Sequence, residues 1–476
     1  MKIYKKIFLS LILLGVIFFI TLLPRLYKID NSITDWHSFR QADTAMVARN
    51  FADEGFNILH PRTDNILAIS DSKKPNPQGL TFLEFPIYTL IVGFVWDIFG
   101  VYESSARLVS AIFASFSAVF LFLLVRKFSN SRVAIIASLV FALMPYSIYY
   151  GRVIMPNSTM VCLGLASLWL FSRYYFNNSK ISFFLSSVLF ALASLSYPYV
   201  VFWLIPIIYL ALIKDGLFYY SLKYYGFLLM SFIPLVLWRA WGANYPEAQI
   251  GSNWYLNYGD IRFSGAFFRW LIFERLAKLI LGTGGFVLMF FGLIARRQNK
   301  ENYFYFVWLF SMILYFVIFA SSNVRHDYYQ YIYMPVLAVF VALGIDHLLK
   351  AGQSLVEKSI SVSVAVFLII ISIAFGYFEV KGYYLTNNDI VEAGKKADEL
   401  LSANDKVIAP LAGDLSLLYY VNRPGWAEFY EEMSVFKDQG ATAVVSLKFD
   451  EGIEKLAKEN KVLYRTNKYI IISLNK

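Results

Sequence analysis

The chain has 476 residues, 58% hydrophobic, 18% aromatic and only 16% charged, with a mean hydropathy of +0.53. That is too apolar for a soluble protein of this length, and the excess lies in long blocks, so the composition specifies an α-helical polytopic membrane protein. The net charge of +10 is distributed over short loops, which excludes the accessible basic face that nucleic-acid binding needs, and one cysteine, Cys162, excludes a disulfide framework or a Cys-based metal site.

Lys2, Lys5 and Lys6 precede an apolar run at 7–23 that is long enough for a first span. No small-residue cleavage signal follows, so the run reads as a retained helix with a cytoplasmic N-terminus. Residues 24–103 then form a long first outer loop. Its opening stretch, Asp35 to Phe51, reads as a short amphipathic helix over 39–54. Ser38 and Gln41 have capping-box spacing, and Gly55 stands where such a helix stops. Phe39, Ala42, Met46 and Arg49 step along one side, while Arg40, Asp43 and Thr44 share another. An exposed turn is expected at 71–79. The apolar run 84–99 is broken by Gly93 and Asp97. Read as a span, it would invert every later basic loop, so it is assigned to a helix in the outer interface.

The remaining apolar blocks predict spans at 104–125, 133–150, 158–176, 181–196, 199–213, 218–240, 279–295, 303–320, 331–349 and 359–378, about eleven in all. Arg126/Lys127/Arg132, Lys214/Lys223, Arg296/Arg297/Lys300 and Lys350/Lys358 recur at every second loop, the positive-inside pattern. The reading is a multi-pass protein of the cell (plasma or inner) membrane whose C-terminus lies outside. Two domains follow: a transmembrane domain over 1–380 and a small extracytoplasmic α/β domain over 381–476. In the latter, helices are expected at 390–402, 414–421, 429–439 and 451–460, with strands at 406–410, 441–447, 462–465 and 469–474.

Polar groups at the outer loops that anchoring does not require are the functional candidates. They fall in four places: the 35–50 stretch with Asp35, His37, Arg40, Gln41 and Asp43; Glu84; Arg152 after Tyr149-Tyr150-Gly151; and the run Arg325, His326, Asp327, Tyr328, Tyr329 and Gln330. Each has a plainer reading. Arg40–Asp43 could be a surface pair, Glu84 a helix cap, Arg152 a side chain snorkelling to lipid, and the tyrosines of 328–333 an aromatic belt. His60 and His347 are set aside, one in a loop and one at a cytoplasmic helix end. Together the candidates supply a carboxylate to accept a proton and Arg/His donors to hold a phosphate. That is the inventory for moving a group from a lipid phosphate to an acceptor outside the cytoplasm.

His37-Ser-Phe-Arg-Gln-Ala-Asp-Thr-Ala45, Ala48-Arg-Asn-Phe51, Glu84-Phe-Pro-Ile-Tyr88, Ala106-Arg107-Leu108, Tyr150-Gly-Arg152 and His326-Asp-Tyr-Tyr-Gln330 resemble bacterial and archaeal GT-C glycosyltransferases, nearest to the protein-mannosyltransferase and aminoarabinose-transferase group. The resemblance covers 1 to about 380. It implies a polyprenyl-phosphate sugar donor, an extracytoplasmic glycan, lipid or protein acceptor, inverting transfer, and an acid of the first outer loop as general base. The family's commoner Asp-Glu pair, eight and seven residues before Ala48, is Arg40-Gln41 here. The base is therefore assigned to Asp43, with Asp35 as second choice and Glu84 beside them. His37, Arg40, Gln41, Arg152, Arg325, His326, Tyr328, Tyr329 and Gln330 are assigned to substrate binding. Asn157 stands where relatives carry an acid, so no metal site is specified; a divalent ion shared by Glu84 and His326 stays open. A transporter or flippase of a lipid-linked sugar, and an O-antigen ligase or polymerase, are the alternatives. Neither internal repeats nor a large late outer loop supports them.

Overall fold

The computed structural model describes residues 2–67, 74–249, 253–295, 299–352 and 354–475. Of the expected features, part of the 71–79 turn and the Arg296/Arg297 pair lie outside the described residues.

Contacts divide the chain into two compact units: one of residues 1–27, 108–238 and 252–382, the other of 28–107, 239–251 and 383–476. The first unit is helical. Among the described residues, seven helices are long and apolar enough to cross a membrane, or eight if the bent pair Gly265–Ile280 and Gly284–Ile294 counts as one span. Every expected span coincides with a helix or helix pair. Ser131–Leu143 and Lys180–Ser196 are apolar but shorter, and Asn157–Asn177 does not meet the same criterion, so fewer helices qualify as spans than the eleven expected. Helix α1 (Lys2–Arg25) ends on a buried arginine. Arg25 donates to the Thr21 and Ala142 carbonyls and to both oxygens of Ser147, fastening the end of the helix to the break around Pro145. Those donors complete carbonyls that a helix break would leave unpaired.

The second unit carries helices α2 (Ser38–Glu54) and α3 (Ile87–Phe99) and the start of α4 (Glu103–Phe128), together with a five-stranded sheet. The strands β1 (Val407–Ile408), β2 (Gly425–Trp426), β3 (Ala443–Ser446), β4 (Lys461–Arg465) and β5 (Ile470–Ser473) lie in the order β2-β1-β3-β5-β4. Pairing is parallel on either side of β1 and antiparallel from β3 to β5 and from β5 to β4, so the strands expected at 462–465 and 469–474 form a hairpin. Strand β2 has only two residues, too few for a periodic signal, and the sequence reading missed it.

The sheet core contains Ile408, Trp426, Phe436, Val444, Ile453, Ile470 and Ile472, and Ile66 of the first outer loop packs among them. Asn65 pairs with Gly425 as an isolated parallel bridge, and the Gly425 N–H donates to the Asp64 carbonyl. Residues 28–107 and the tail thus share backbone hydrogen bonds and one core.

Candidate functional site

Helix α2 ends as its sequence predicts, with Gly55 at φ +96° closing it onto the Phe51 carbonyl, but it starts at Ser38, one residue early. The capping box is absent. Its N-cap is His37, in the left-handed region at φ 59°, with no side-chain cap bond. Ser38 Oγ donates instead to Asp414, and Gln41 Nε2 donates to Asp35 Oδ1 (2.6 Å) and to the Trp36 carbonyl. Nor is the helix amphipathic in the expected sense: Arg40, Gln41, Thr44 and Arg49 are buried along with Ala42, Met46 and Phe51. A helix buried on both sides needs its polar groups paired, and these are. Arg49 forms a buried ion pair with Asp64, donates to the Tyr419 carbonyl and lies 4.7 Å above the Tyr419 ring.

Helix α3 packs against α2 and buries Tyr88, Thr89, Val92, Gly93 and Trp96, with Tyr88 and Trp96 bonded to Ala106, Tyr102 and Ser105 at the start of α4. Gly93 permits that approach, since a Cβ there would stand 2.9 Å from the Ala48 carbonyl oxygen and 3.0 Å from Phe51 Cβ. The opposite face of α3, Ile91, Phe94, Ile98 and Phe99, is exposed and apolar. Glu84 does not cap this helix, whose N-cap is Pro86. Its carboxylate is directed to Arg40.

Arg40 is the hub. Nη1 donates to Asp43 Oδ2 at 2.8 Å, and Nη2 donates to Glu84 Oε1. Both carboxylates are 15% exposed and the arginine 9%, so this is neither a solvated surface pair nor a sealed one. Burial pushes the Asp43 carboxyl above the ordinary carboxylate range, although the charge and hydrogen bond of Arg40 and a hydrogen bond from Thr63 pull it back. Glu84 is raised for the same first reason and by the like charge of Asp43, against the pull of Arg40 and Arg239. Two carboxylates raised by burial and sharing one guanidinium make this cluster the candidate for proton transfer.

Asp35 has a different setting. It is buried, its Oδ2 takes a 3.1 Å ion pair from Arg107, whose side chain is fully buried, and its Oδ1 takes the Gln41 amide. Arg107 also donates to the carbonyls of Asn31 and Ser32. This constellation fastens the chain ahead of α2 to the start of α4. Sequence reasoning gave no role to Arg107, Thr63 or Arg239. The signal for Arg107 was available: it is a cation at a helix start that the positive-inside pattern does not require.

The other predicted residues belong to the first unit. Arg152 is fully buried with its guanidinium 5.4 Å from the Tyr149 ring centroid, which excludes snorkelling to lipid. Tyr328, Tyr329, Tyr331 and Tyr333 are buried, not arrayed as a lipid-facing belt. Gln330 donates to the Asn323 carbonyl at 2.5 Å. Asp327 takes Tyr150 Oη at 2.5 Å and Arg275 at 3.2 Å. His326 stacks on Tyr328 with ring centroids 5.4 Å apart, and Arg325 is exposed, 5.1 Å above the Tyr258 ring. Among the described residues, no three His, Cys, Asp or Glu side chains form a group that could hold a metal ion. His60, set aside earlier, contacts the Tyr245 hydroxyl at 2.8 Å and Asn57 at 3.1 Å.

Residues 77–241 match the family model described as dolichyl-phosphate-mannose-protein mannosyltransferase. Among curated proteins compared by sequence, none matches. Among solved structures, ArnT from Cupriavidus metallidurans in the apo state is similar with a TM-score of 0.66 at 13% identity, over 99% of this chain and 98% of that one. The same protein bound to undecaprenyl phosphate gives 0.65 at 13% identity, over 98% of each chain. The archaeal oligosaccharyltransferase AglB from Archaeoglobus fulgidus, in complex with an inhibitory peptide and a dolichol-phosphate, gives 0.58 at 13% identity, over 93% of this chain and 69% of that one. The GT-C fold expected from the sequence motifs is the fold of this chain, and the chain is a multi-pass membrane protein.

Proposed function

We propose that this protein transfers a sugar from a polyprenyl-phosphate-linked monosaccharide to an acceptor at the outer face of the cell membrane, with inversion and with Asp43 as general base. One observation carries the reading: Asp43 and Glu84 share the Arg40 guanidinium in a partly open setting that raises both carboxyls. The fold common to this chain and to a structure bound to undecaprenyl phosphate supports the choice of donor, as does the mannosyltransferase model matched by 77–241.

In this reaction the acceptor hydroxyl attacks the anomeric carbon from the side opposite the phosphate. Asp43 takes the hydroxyl proton as the new C–O bond forms, the bond from the anomeric carbon to phosphate oxygen breaks, and polyprenyl phosphate leaves with the electron pair. Arg40 holds Asp43 oriented and favours its ionised form, and Glu84 fixes Arg40 from its other side. Arg325, with its exposed guanidinium, and the neighbouring His326 are assigned to the donor phosphate, whose growing negative charge needs cationic donors. Asp35, with each oxygen held by a buried partner, is assigned to positioning.

Purified protein supplied with labelled polyprenyl-phosphate sugars and cell-envelope acceptor fractions tests the proposal. The expected product carries label in a new glycosidic bond. Label that crosses the bilayer of a proteoliposome with no such bond would identify a transporter instead.

A further inference from the structure

Helix α4 and helix Asn157–Asn177 meet through side chains along one seam. Phe120 lies 5.8 Å from Trp169 and Phe128 lies 5.3 Å from Phe176, ring centroid to ring centroid. The contacts advance eight residues on one helix and seven on the other, so the two run side by side in the same direction. They end together, at the end that the positive-inside pattern assigns to the cytoplasm. Phe116, Phe120, Leu123 and Lys127 follow one another at helical spacing on α4, as Trp169, Arg173 and Phe176 do on its neighbour. Phe116 and Phe176 are exposed, and Phe120, Leu123 and Trp169 are half-buried. The seam is an open aromatic surface that ends in cations.

Those cations are held in place without being neutralised. Lys127 Nζ donates to Asn177 Oδ1 at 3.3 Å and lies 6.0 Å from the Phe176 ring, which carries the ammonium across the seam. The Arg173 guanidinium lies 5.4 Å from the Trp169 ring, and that of Arg126 lies 5.9 Å from Phe122. Stacking of this kind fixes a guanidinium and leaves its N–H groups to donate at the edge. Among the described residues, no carboxylate lies within ion-pair distance of Arg126, Lys127 or Arg173. Other basic side chains at this end differ: Arg132 and Lys350 pair with Asp346, and Lys223 pairs with Asp215. Helix Lys180–Ser196 begins three residues after Asn177 and adds the positive end of its dipole.

We infer that this seam binds one anionic phospholipid: Lys127 and Arg173 hold its phosphate, with Arg126 beside them, and an acyl chain lies along Phe116, Phe120 and Trp169. Charge complementarity selects the anionic headgroup, and the aromatic seam selects a lipid over free phosphate. The site uses none of the residues assigned to sugar transfer and stands whether or not that reading holds.

The test is native mass spectrometry of full-length protein released from nanodiscs that hold phosphatidylglycerol and phosphatidylcholine in equal amounts. Retention of a single phosphatidylglycerol is expected. Lys127→Gln and Arg173→Gln are each expected to weaken that retention about five-fold. Arg132→Gln, which removes a cation already paired with Asp346, is expected to leave it near wild type. Equal retention of the two lipids, or unchanged retention in the Lys127→Gln/Arg173→Gln double variant, overturns the site. An equal loss in Arg132→Gln also overturns it, in favour of diffuse surface charge. Phosphatidylglycerol with a diazirine on its acyl chain reads the seam: cross-links are expected on α4 and on helix Asn157–Asn177, and cross-links confined to other helices overturn the placement. Displacement of the retained lipid by one equivalent of undecaprenyl phosphate overturns the assignment to a phospholipid.

Discussion

Arg40 and Glu84 stand 44 residues apart in the chain, and the guanidinium of one closes on the carboxylate of the other while its second terminal nitrogen stays on Asp43. This single cation opposes the upward push that burial gives both acids.

Removing that cation has a predictable direction. In Arg40→Gln both carboxyls lose the group that lowers them, while burial and their mutual repulsion remain. A base must be deprotonated to work, so turnover falls as pH drops through its pKa. The wild-type acid limb is therefore expected above the ordinary carboxylate range, and in Arg40→Gln it moves further toward alkaline pH. Arg40→Lys is expected to recover little, because an ammonium is a point charge that cannot match the planar fork bridging both acids. A pH–rate profile of kcat/KM for the three proteins measures this, and superimposed limbs would remove Arg40 from the role.

Asp35→Asn is expected to act on folding. It strips a buried Arg107 of its counter-charge, which costs about 3–5 kcal/mol when one partner of a buried pair is removed. Thermal denaturation in detergent should show a large fall in midpoint. A variant that keeps wild-type stability while losing turnover would mean that Asp35 acts in the chemistry.

Gly93→Ala tests the packing that brings α3 to α2. The added methyl meets the Ala48 carbonyl, a backbone atom that cannot rotate away. Overpacking of this kind costs about 1–3 kcal/mol. Lower stability together with lower turnover is expected, since Glu84 precedes α3 by a few residues; unchanged stability would show that the helices separate freely.

Donor binding is read separately. Arg325→Ala and His326→Ala are each expected to weaken undecaprenyl-phosphate affinity by roughly ten-fold, the worth of one charge-assisted hydrogen bond. Isothermal calorimetry in detergent measures it, and unchanged affinity in both would sink their assignment to the phosphate.

Much of this was legible beforehand, for reasons that individual residues make clear. The spans and α2 were found because hydrophobic blocks, charge alternation and Gly55 are local signals. Arg40 and Asp43 were found because a three-residue spacing on a helix places them together. What the sequence hid was long-range. Glu84 read equally well as a cap, and only the tertiary fold turns it to Arg40. The same holds for Gln41, whose capping-box spacing lost to a buried carboxylate at Asp35, and for Ile66, a loop residue that entered the core of a sheet from the tail. Local rules fail where a distant partner offers a buried polar group a better bond.

The most direct measurement is single-turnover sugar transfer by Asp43→Asn beside wild type, with folding and donor affinity checked on the same samples. Loss of the base is expected to slow the chemical step by about 10²–10⁴-fold with donor affinity and thermal midpoint near wild type. Near-normal turnover in Asp43→Asn, above all if Asp35→Asn or Glu84→Gln is inactive while folded, would contradict the account.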